Sequence, residues 1–145
     1  MKVTIEKNEL YLNPEIIVKC NEIDDVLQDI ISYIGIADKN MIGEVDGEIF
    51  FIPLNNILYF ESVEKIVYIY TEKQVYKSSA KLYILEEQLS DTYFARVSKT
   101  TILNLKKLNS VKSAKNAKLE GTLSNKEKIL ISRQYVPEIK KRLWV

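Results

Sequence analysis

The side chains in this sequence that are best suited to chemistry are the lysines and arginines of its last third. Residues 96 to 145 carry 13 basic and 3 acidic side chains, whereas residues 1 to 95 carry 8 basic and 17 acidic ones. The formal net charge of +1 therefore hides two segments of opposite sign. Clustered basic side chains displace the counterions condensed on nucleic acid, so this asymmetry predicts a polyanion-binding surface in the basic segment. The alternative is a solvated basic face that pairs with the acidic segment.

Other kinds of chemistry lack the residues that they need. The chain has no histidine and a single cysteine, which excludes zinc sites of the Cys/His type and every histidine-dependent mechanism. Its four glycines do not cluster into a phosphate-binding loop. Adjacent carboxylates, such as Glu86 and Glu87, diverge on a predicted helix and do not form an acid and base pair. We therefore predict that the protein is not an enzyme and has no catalytic residue, cofactor or metal site.

The length and composition are those of one small domain with a short appendage. A chain of 145 residues can bury roughly two thirds of its unfolded surface and needs no disulfide to fold. Cys20 ends an apolar run that starts at Ile16, so it is expected to pack as a small hydrophobe, which favours a reducing compartment. No segment offers the roughly 18 uncharged apolar residues of a membrane span. We expect a cytoplasmic protein without membrane insertion.

The start of the chain predicts a hairpin followed by a helix. Two extended runs, residues 2–6 and 16–20, are separated by a turn-like Asn-Pro dipeptide. Asn21 is a natural N-cap, and the apolar residues of 22–34 follow the spacing of one helical face. This helix is expected to contribute to dimerisation or to a regulatory contact.

From Met41 onwards the pattern predicts short strands. Asp46 and Gly47 form a type I′ turn signal between the first two of them. The predicted strands of this part are residues 41–45, 48–52, 57–61, 65–71 and 74–77. A helix capped by Ser79 follows, with an apolar stripe of leucines at 82, 85 and 89.

The basic part of the chain is predicted to be rich in β-structure and to end in a helix. Brief apolar runs separated by polar turns predict strands at residues 93–97, 102–103, 108–111, 117–123 and 128–132. Between residues 134 and 143 we expect a helix, because Pro137 is tolerated in a first helical turn. The lysines and arginine at its C-terminal end suit the helix dipole.

The most specific pattern in the sequence runs from Phe94 to Asn104. It reads aromatic, spacer, Arg96, apolar, Ser98, variable, Thr100, variable, two apolar residues and Asn. Three further segments match in order, residues 57–61, 81–89 and 131–135. Together they resemble the LytTR DNA-binding family, over about residues 45 to 143.

The resemblance implies a fold and a function. The fold is α+β and mostly β, an antiparallel LytTR-type module at residues 45–145 that is preceded by a small αβ extension at residues 1–44. Loops of the module, and not a recognition helix, would enter the major groove of double-stranded DNA at repeated half-sites. The chain is too short for a receiver domain, so it resembles the stand-alone regulators of the family. We expect a transcription factor that works as a homodimer or as paired monomers. A regulatory protein is expected as a further partner.

The resemblance also implies DNA-contacting positions. Lys99 matches a family position that contacts bases or the backbone, Arg133 or Gln134 matches a second, and Lys65 is a looser match to a third. Lysine and arginine donate to guanine edges or phosphates, and glutamine can pair with adenine. Ser98 and Thr100, on either side of Lys99, complete the expected DNA-binding loop.

Some residues in these motifs have two interpretations. Arg96 either bonds a phosphate or pairs with a carboxylate such as Glu61. Asn104 is more typical of a brace in a turn than of a base contact, and the apolar residues beside it are more typical of a core. Asn125 stands where the family often has Asn-Gly, so we expect Asn125 to take a left-handed conformation in that turn.

Two other functions remain open from the sequence. The first is a protein-interaction module in which the basic segment serves a partner and DNA binding has been lost. The second is binding of single-stranded RNA, because the tyrosines between Tyr68 and Tyr76 could stack on bases, although alternation on a half-buried strand explains them more simply.

Overall fold

Residues 1–37 and 39–144 are the part of the chain that the computed structural model describes, and three α-helices and ten strands lie in it. The helices are α1 (Asp25–Ala37), α2 (Leu82–Gln88) and α3 (Val136–Leu143). The strands are β1 (Asn40–Val45), β2 (Glu48–Pro53), β3 (Ile57–Val63), β4 (Ile66–Thr71), β5 (Val75–Ser78), β6 (Phe94–Arg96), β7 (Thr101–Asn104), β8 (Leu108–Ser113), β9 (Leu119–Leu123) and β10 (Lys128–Ile131).

The strands form two antiparallel sheets. The larger sheet has seven strands in the order β2-β1-β5-β4-β3-β7-β6, and the smaller has three in the order β10-β9-β8. Short tight turns connect most neighbours, as at Asp46 and Gly47, whose φ angles of 49° and 82° are those of the predicted type I′ turn. Antiparallel sheets with a few short helices confirm the predicted α+β, mostly β class.

Two apolar clusters hold the sheets and helices together. In the first, α2 covers one face of the large sheet, where Phe60 of β3 and Leu85 of α2 are fully buried. In the second, α3 and the small sheet pack against the other face, with Leu103 of β7 and Ile139 of α3 fully buried. Strands β3, β6 and β7 contribute to both clusters, so packing fixes them on both faces.

The N-terminal segment departs from its prediction. Residues 1–24, all within the described part of the chain, contain no strand, so the hairpin expected between residues 2 and 20 is wrong. The apolar side chains of Ile5, Ile16 and Ile17 are exposed, as is Cys20, which does not pack as a small hydrophobe. A lone two-stranded hairpin is only marginally stable in water. A stable hairpin needs an apolar surface to pack against, and the pattern of these residues does not provide one.

The ends of helices α1 and α2 also differ from their predictions. The side chain of Asp24 accepts a hydrogen bond from the Leu27 N–H at 2.8 Å, so Asp24 caps α1 and Asn21 lies outside the helix. Helix α2 begins after Lys81 and has no side-chain cap, so the cap predicted at Ser79 is wrong. The Ser78 hydroxyl accepts a hydrogen bond from the Ala80 N–H in the turn before the helix. The predicted leucine stripe is confirmed, since Leu82 and Leu85 of α2 and the C-cap Leu89 are buried.

The hairpin between β9 and β10 turns on a different residue from the one expected. Lys126 has a φ of 74° and takes the left-handed conformation, so the expectation for Asn125 is wrong. The Asn125 side chain instead accepts a hydrogen bond from the Glu127 N–H at 3.1 Å and donates one to the Glu127 carboxylate at 2.7 Å. Such bonding of an asparagine to the backbone two residues on stabilises a turn without requiring a positive φ at the asparagine itself.

One tyrosine links the two sheets. Tyr59 of β3 donates a hydrogen bond to Glu127 at 2.9 Å, and its ring stacks on Tyr70 with the centroids 4.4 Å apart. Burial, and then the hydrogen bond and charge of Glu127, raise the pKa of Tyr59 well above its ordinary value of about 10. The folded protein therefore holds this proton more tightly than the unfolded chain does.

This link predicts a loss of stability in alkali. The contribution of Tyr59 is fully present below pH ~10 and is lost as the pH rises beyond that value, because the unfolded chain then releases the proton first. The free energy of unfolding should therefore fall less steeply above pH ~10 in Tyr59→Phe than in the unmodified protein. Part of the fall should remain, because burial also raises the pKa of Tyr70. Urea unfolding of both proteins across this range measures the effect, and parallel falls would contradict it.

In the part of the chain that the structure describes, a helix with the length and apolar character of a membrane span is not found.

Candidate nucleic-acid interface

Three loops that carry predicted site residues meet at one end of the large sheet. They are the β3–β4 turn with Lys65, the β6–β7 loop with Lys99, and the segment after β10 with Arg133. The Ser62 N–H donates a hydrogen bond to the Thr100 carbonyl at 2.8 Å, which ties the first loop to the second. The second is tied to the third by an equivalent bond of 2.8 Å from the N–H of residue 132 to the carbonyl of residue 97. Backbone bonds therefore bring together three segments that are far apart in sequence.

The β3–β4 turn presents an exposed lysine at its tip. Glu64 and Lys65 have φ angles of 51° and 69°, so both take the left-handed conformation of a type I′ turn. This turn keeps the two strands tightly paired up to Val63 and Ile66. The turn follows directly after Ser62, whose N–H bonds the Thr100 carbonyl of the β6–β7 loop.

The β6–β7 loop is braced from the inside and presents its side chains outward. The Ser98 hydroxyl accepts a hydrogen bond from the Thr100 N–H at 3.2 Å and lies 3.4 Å from the Thr100 hydroxyl. The carbonyl groups of Ser98 and Lys99 accept from the Arg96 guanidinium. Lys99 and Thr100 are exposed, while Ser98 is half-buried. The main chain of this loop is therefore fixed, and the Lys99 side chain faces solvent.

Arg96 pairs with a carboxylate, but not with the one named from the sequence. Its Nε lies 3.6 Å from Oε1 of Glu86 on helix α2, and its side chain is only 15% exposed. Glu61 instead accepts a hydrogen bond from the Tyr70 hydroxyl. Of the two interpretations of Arg96, the geometry favours the carboxylate pair over a phosphate contact.

The third loop has a neighbour that sequence reasoning did not connect to it. Arg133 and Gln134 are exposed on a turn of 3-10 helix, and they line a shallow cavity together with Asn116 and Lys118 from the β8–β9 connection. That connection turns sharply, because Asn116 and Ala117 both have φ angles near 60°. The polar run between β8 and β9 indicates a turn, but nothing in it reveals that the turn lies beside Arg133.

The motif residues that were predicted to have structural roles are buried. Phe94, Ile102 and Leu103 are buried in the two apolar clusters. Asn104 is 2% exposed; its amide donates to the Ile57 carbonyl and its oxygen accepts from the Lys106 N–H, each at 3.0 Å. The predicted bracing role of Asn104 is thereby confirmed.

The charge of the three loops is not neutralised by the acidic segment. Among the described residues, Lys65, Lys99 and Arg133 have no carboxylate partner. The basic side chains with ion pairs are Arg96, with Glu86, and the two lysines Lys112 and Lys128, which both pair with Glu120. Among the ion pairs of the described residues, the alternative of a basic face that pairs with the acidic half therefore accounts only for Arg96. The exposed loops remain available to an anionic partner.

Comparison with known proteins agrees with this architecture. The chain is 29% identical over 145 residues to proteins of Staphylococcus aureus strains MSSA476 and MW2, each described as an uncharacterized HTH-type transcriptional regulator, with 99% of this chain and 98% of each relative covered. The LytTr DNA-binding domain of a methyl-accepting/DNA response regulator from Bacillus cereus shares the fold, with a TM-score of 0.69 at 18% identity over 73% of this chain and 97% of that one. A family model described as LytTr DNA-binding domain matches residues 47–144. The chain belongs to the LytTr DNA-binding domain family.

Proposed function

We propose that this protein reads double-stranded DNA through the three loops at one end of its large sheet. As a member of the LytTr DNA-binding domain family, the chain is a DNA-binding transcription regulator. The observation that carries the proposal is that backbone hydrogen bonds hold the three loops together, so that Lys65, Lys99 and Arg133 lie on one surface. Among the described residues, these three side chains have no carboxylate partner. Their charge supplies attraction to phosphates, and their fixed main chain supplies the geometry that base reading requires.

Each loop has a distinct role in this proposal. Lys99 and Arg133 donate hydrogen bonds to guanine edges in the major groove, and Gln134 pairs with adenine. Lys65 contacts DNA from the neighbouring turn, and Ser98 and Thr100 shape the loop and approach the phosphates. Lys115 and Lys118, on the β8–β9 connection beside the third loop, contribute attraction to any sequence.

The organisation of the whole chain is also part of the proposal. Residues 45–145 form the DNA-binding module, and residues 1–44, the last of which belong to strand β1 of the large sheet, form an extension that supports dimerisation on repeated half-sites or receives a regulatory protein. The extension contacts the module, because the Tyr93 hydroxyl donates a hydrogen bond to the Asp29 carbonyl of α1. We place the protein in the cytoplasm, where its DNA target would be.

The exchange of one loop lysine tests the function. Lys99→Ala should lower affinity for a selected duplex by about 5- to 150-fold, which corresponds to the ~1 to 3 kcal/mol of a base-reading contact. Affinity for random duplex should fall much less. Lys115→Ala removes the same charge from a nearby turn and should weaken binding to both duplexes alike. Fluorescence anisotropy with the two labelled duplexes measures both ratios.

Two outcomes would count against the proposal. If Lys99→Ala weakened both duplexes equally, Lys99 would be a backbone contact and not a reader of bases. If the unmodified protein preferred single-stranded RNA to any duplex, the function itself would be wrong.

A further inference from the structure

One buried guanidinium connects helix α2 to the β6–β7 loop. Arg96 ends strand β6, and its Nη1 donates hydrogen bonds to the Lys99 carbonyl at 2.6 Å and to the Ser98 carbonyl at 3.4 Å. Its Nε lies 3.6 Å from a carboxylate oxygen of Glu86, near the end of α2. The side chain of Arg96 is 15% exposed and that of Glu86 is 46% exposed. The guanidinium therefore lies beneath the loop and contacts its main chain.

This arrangement is poorly suited to a direct phosphate contact. A phosphate that replaced these partners would draw Nη1 of Arg96 away from two carbonyl groups and Nε away from the Glu86 carboxylate. The two carbonyl groups would lose the donor that they share, and this loss would cost free energy. Arginine is suited to the observed role, because its planar fork can donate in several fixed directions at once.

We propose that Arg96 is a positioning residue that sets the sequence specificity of the β6–β7 loop, and that Glu86 orients Arg96. This inference rests on the proposed function, since it concerns how Lys99 is presented to a base. Without the guanidinium, the two carbonyl groups lose a shared anchor, and the loop must be ordered when DNA binds. The loss then falls on the reading of bases and not on attraction to phosphates.

A double-mutant cycle between Arg96 and Lys99 tests this role. Arg96→Gln should weaken binding to the selected duplex about tenfold and leave binding to random duplex nearly unchanged. Lys99→Ala should then cost much less in the Arg96→Gln protein than in the unmodified one, because the lysine is no longer held in place. Additive effects of the two substitutions would overturn the proposal.

The salt dependence of binding separates positioning from phosphate contact. If Arg96 touches no phosphate, the slope of log affinity against log salt should be the same in Arg96→Gln as in the unmodified protein. A slope smaller by about 0.9, with equal weakening on both duplexes, would show a direct phosphate contact and overturn the proposal. Arg96→Lys keeps the charge but not the planar guanidinium, so it should lose specificity for the selected duplex as Arg96→Gln does. If Arg96→Lys kept the full specificity of the unmodified protein, the proposal would also be overturned.

Substitution of Glu86 tests the proposal if the Arg96 variants fail to fold. Glu86→Gln changes a partly exposed side chain and should leave the fold intact, yet lower specific affinity by about 2- to 3-fold through a less firmly held Arg96. Glu87→Gln, an exposed neighbour on α2, is the matched control and should change nothing. Equal effects of the two substitutions would contradict the role of Glu86. If the unmodified protein itself failed to discriminate between duplexes, the proposed function would fail, and not the positioning role alone.

Discussion

Removal of Lys99 and Arg133 together should reduce binding at the preferred site to the level of random DNA. Each contact is expected to contribute ~1 to 3 kcal/mol of discrimination, and the two lie on separate loops, so their effects should nearly add, to ~2 to 6 kcal/mol. The double substitution leaves the backbone bonds that tie the loops unchanged, because those bonds use main-chain atoms. The loss should therefore appear in specificity and not in the fold.

A second double variant controls for the loss of charge. Lys140→Ala with Lys141→Ala removes two exposed lysines from the last turn of α3, outside the segments that carry the predicted base-reading residues. Titration of both double variants against selected and random duplexes, at one salt concentration, compares them directly. If the α3 variant lost as much discrimination as the loop variant, the base-reading roles of Lys99 and Arg133 would be refuted.

Replacement of Phe60 with alanine should cost the protein ~3 to 5 kcal/mol of stability. Phe60 is 0% exposed on β3, and its ring lies 5.6 Å from that of Phe94 on β6. The cavity would open beneath the two strands that lead into the Lys65 and Lys99 loops, and β3 and β6 are buried on both faces, so little could move in to fill it. A loss of this size is a large share of the total stability of a typical small domain.

The same substitution at an exposed phenylalanine gives the control. Phe51 of β2 is 69% exposed, so Phe51→Ala should change the free energy of unfolding by only ~0.5 kcal/mol. Urea unfolding followed by circular dichroism measures both variants. Equal losses would mean that the core beneath the loops is not where the structure places it.

Most strands and the general site could be predicted from the sequence, because their causes are local. The alternation of residues 66–71 sets the two faces of β4. The Asp-Gly pair at 46–47 sets the turn between β1 and β2 through its backbone preference alone. The asymmetry of charge pointed to the basic segment, in which Lys99 and Arg133 lie on exposed loops. The LytTR resemblance then supplied the positions within those loops.

The predictions that were wrong or incomplete depend on contacts between residues that are far apart in the sequence or in different elements. The apolar residues before Asn21 look like strands, but no other element covers them in the described structure, so their pattern has nothing to pack on. The partner of Arg96 depends on where α2 places Glu86, ten residues earlier in the chain, and the sequence of β6 carries no information about that position. Asn116 belongs to the candidate interface because its turn lies beside Arg133, and no local pattern in the sequence reveals this proximity.

The central claim, that the exposed basic loops bind duplex DNA in a sequence-specific way, is tested most directly by selection from a random pool of duplexes with the purified full chain. The selected duplex should be enriched for one short motif, and its affinity should fall by orders of magnitude between ~50 and ~200 mM salt, because several lysine and arginine contacts release counterions. The motif should disappear when Lys99 and Arg133 are both replaced. Absence of any enriched sequence, together with no binding of duplex DNA at the lowest salt, would contradict the account.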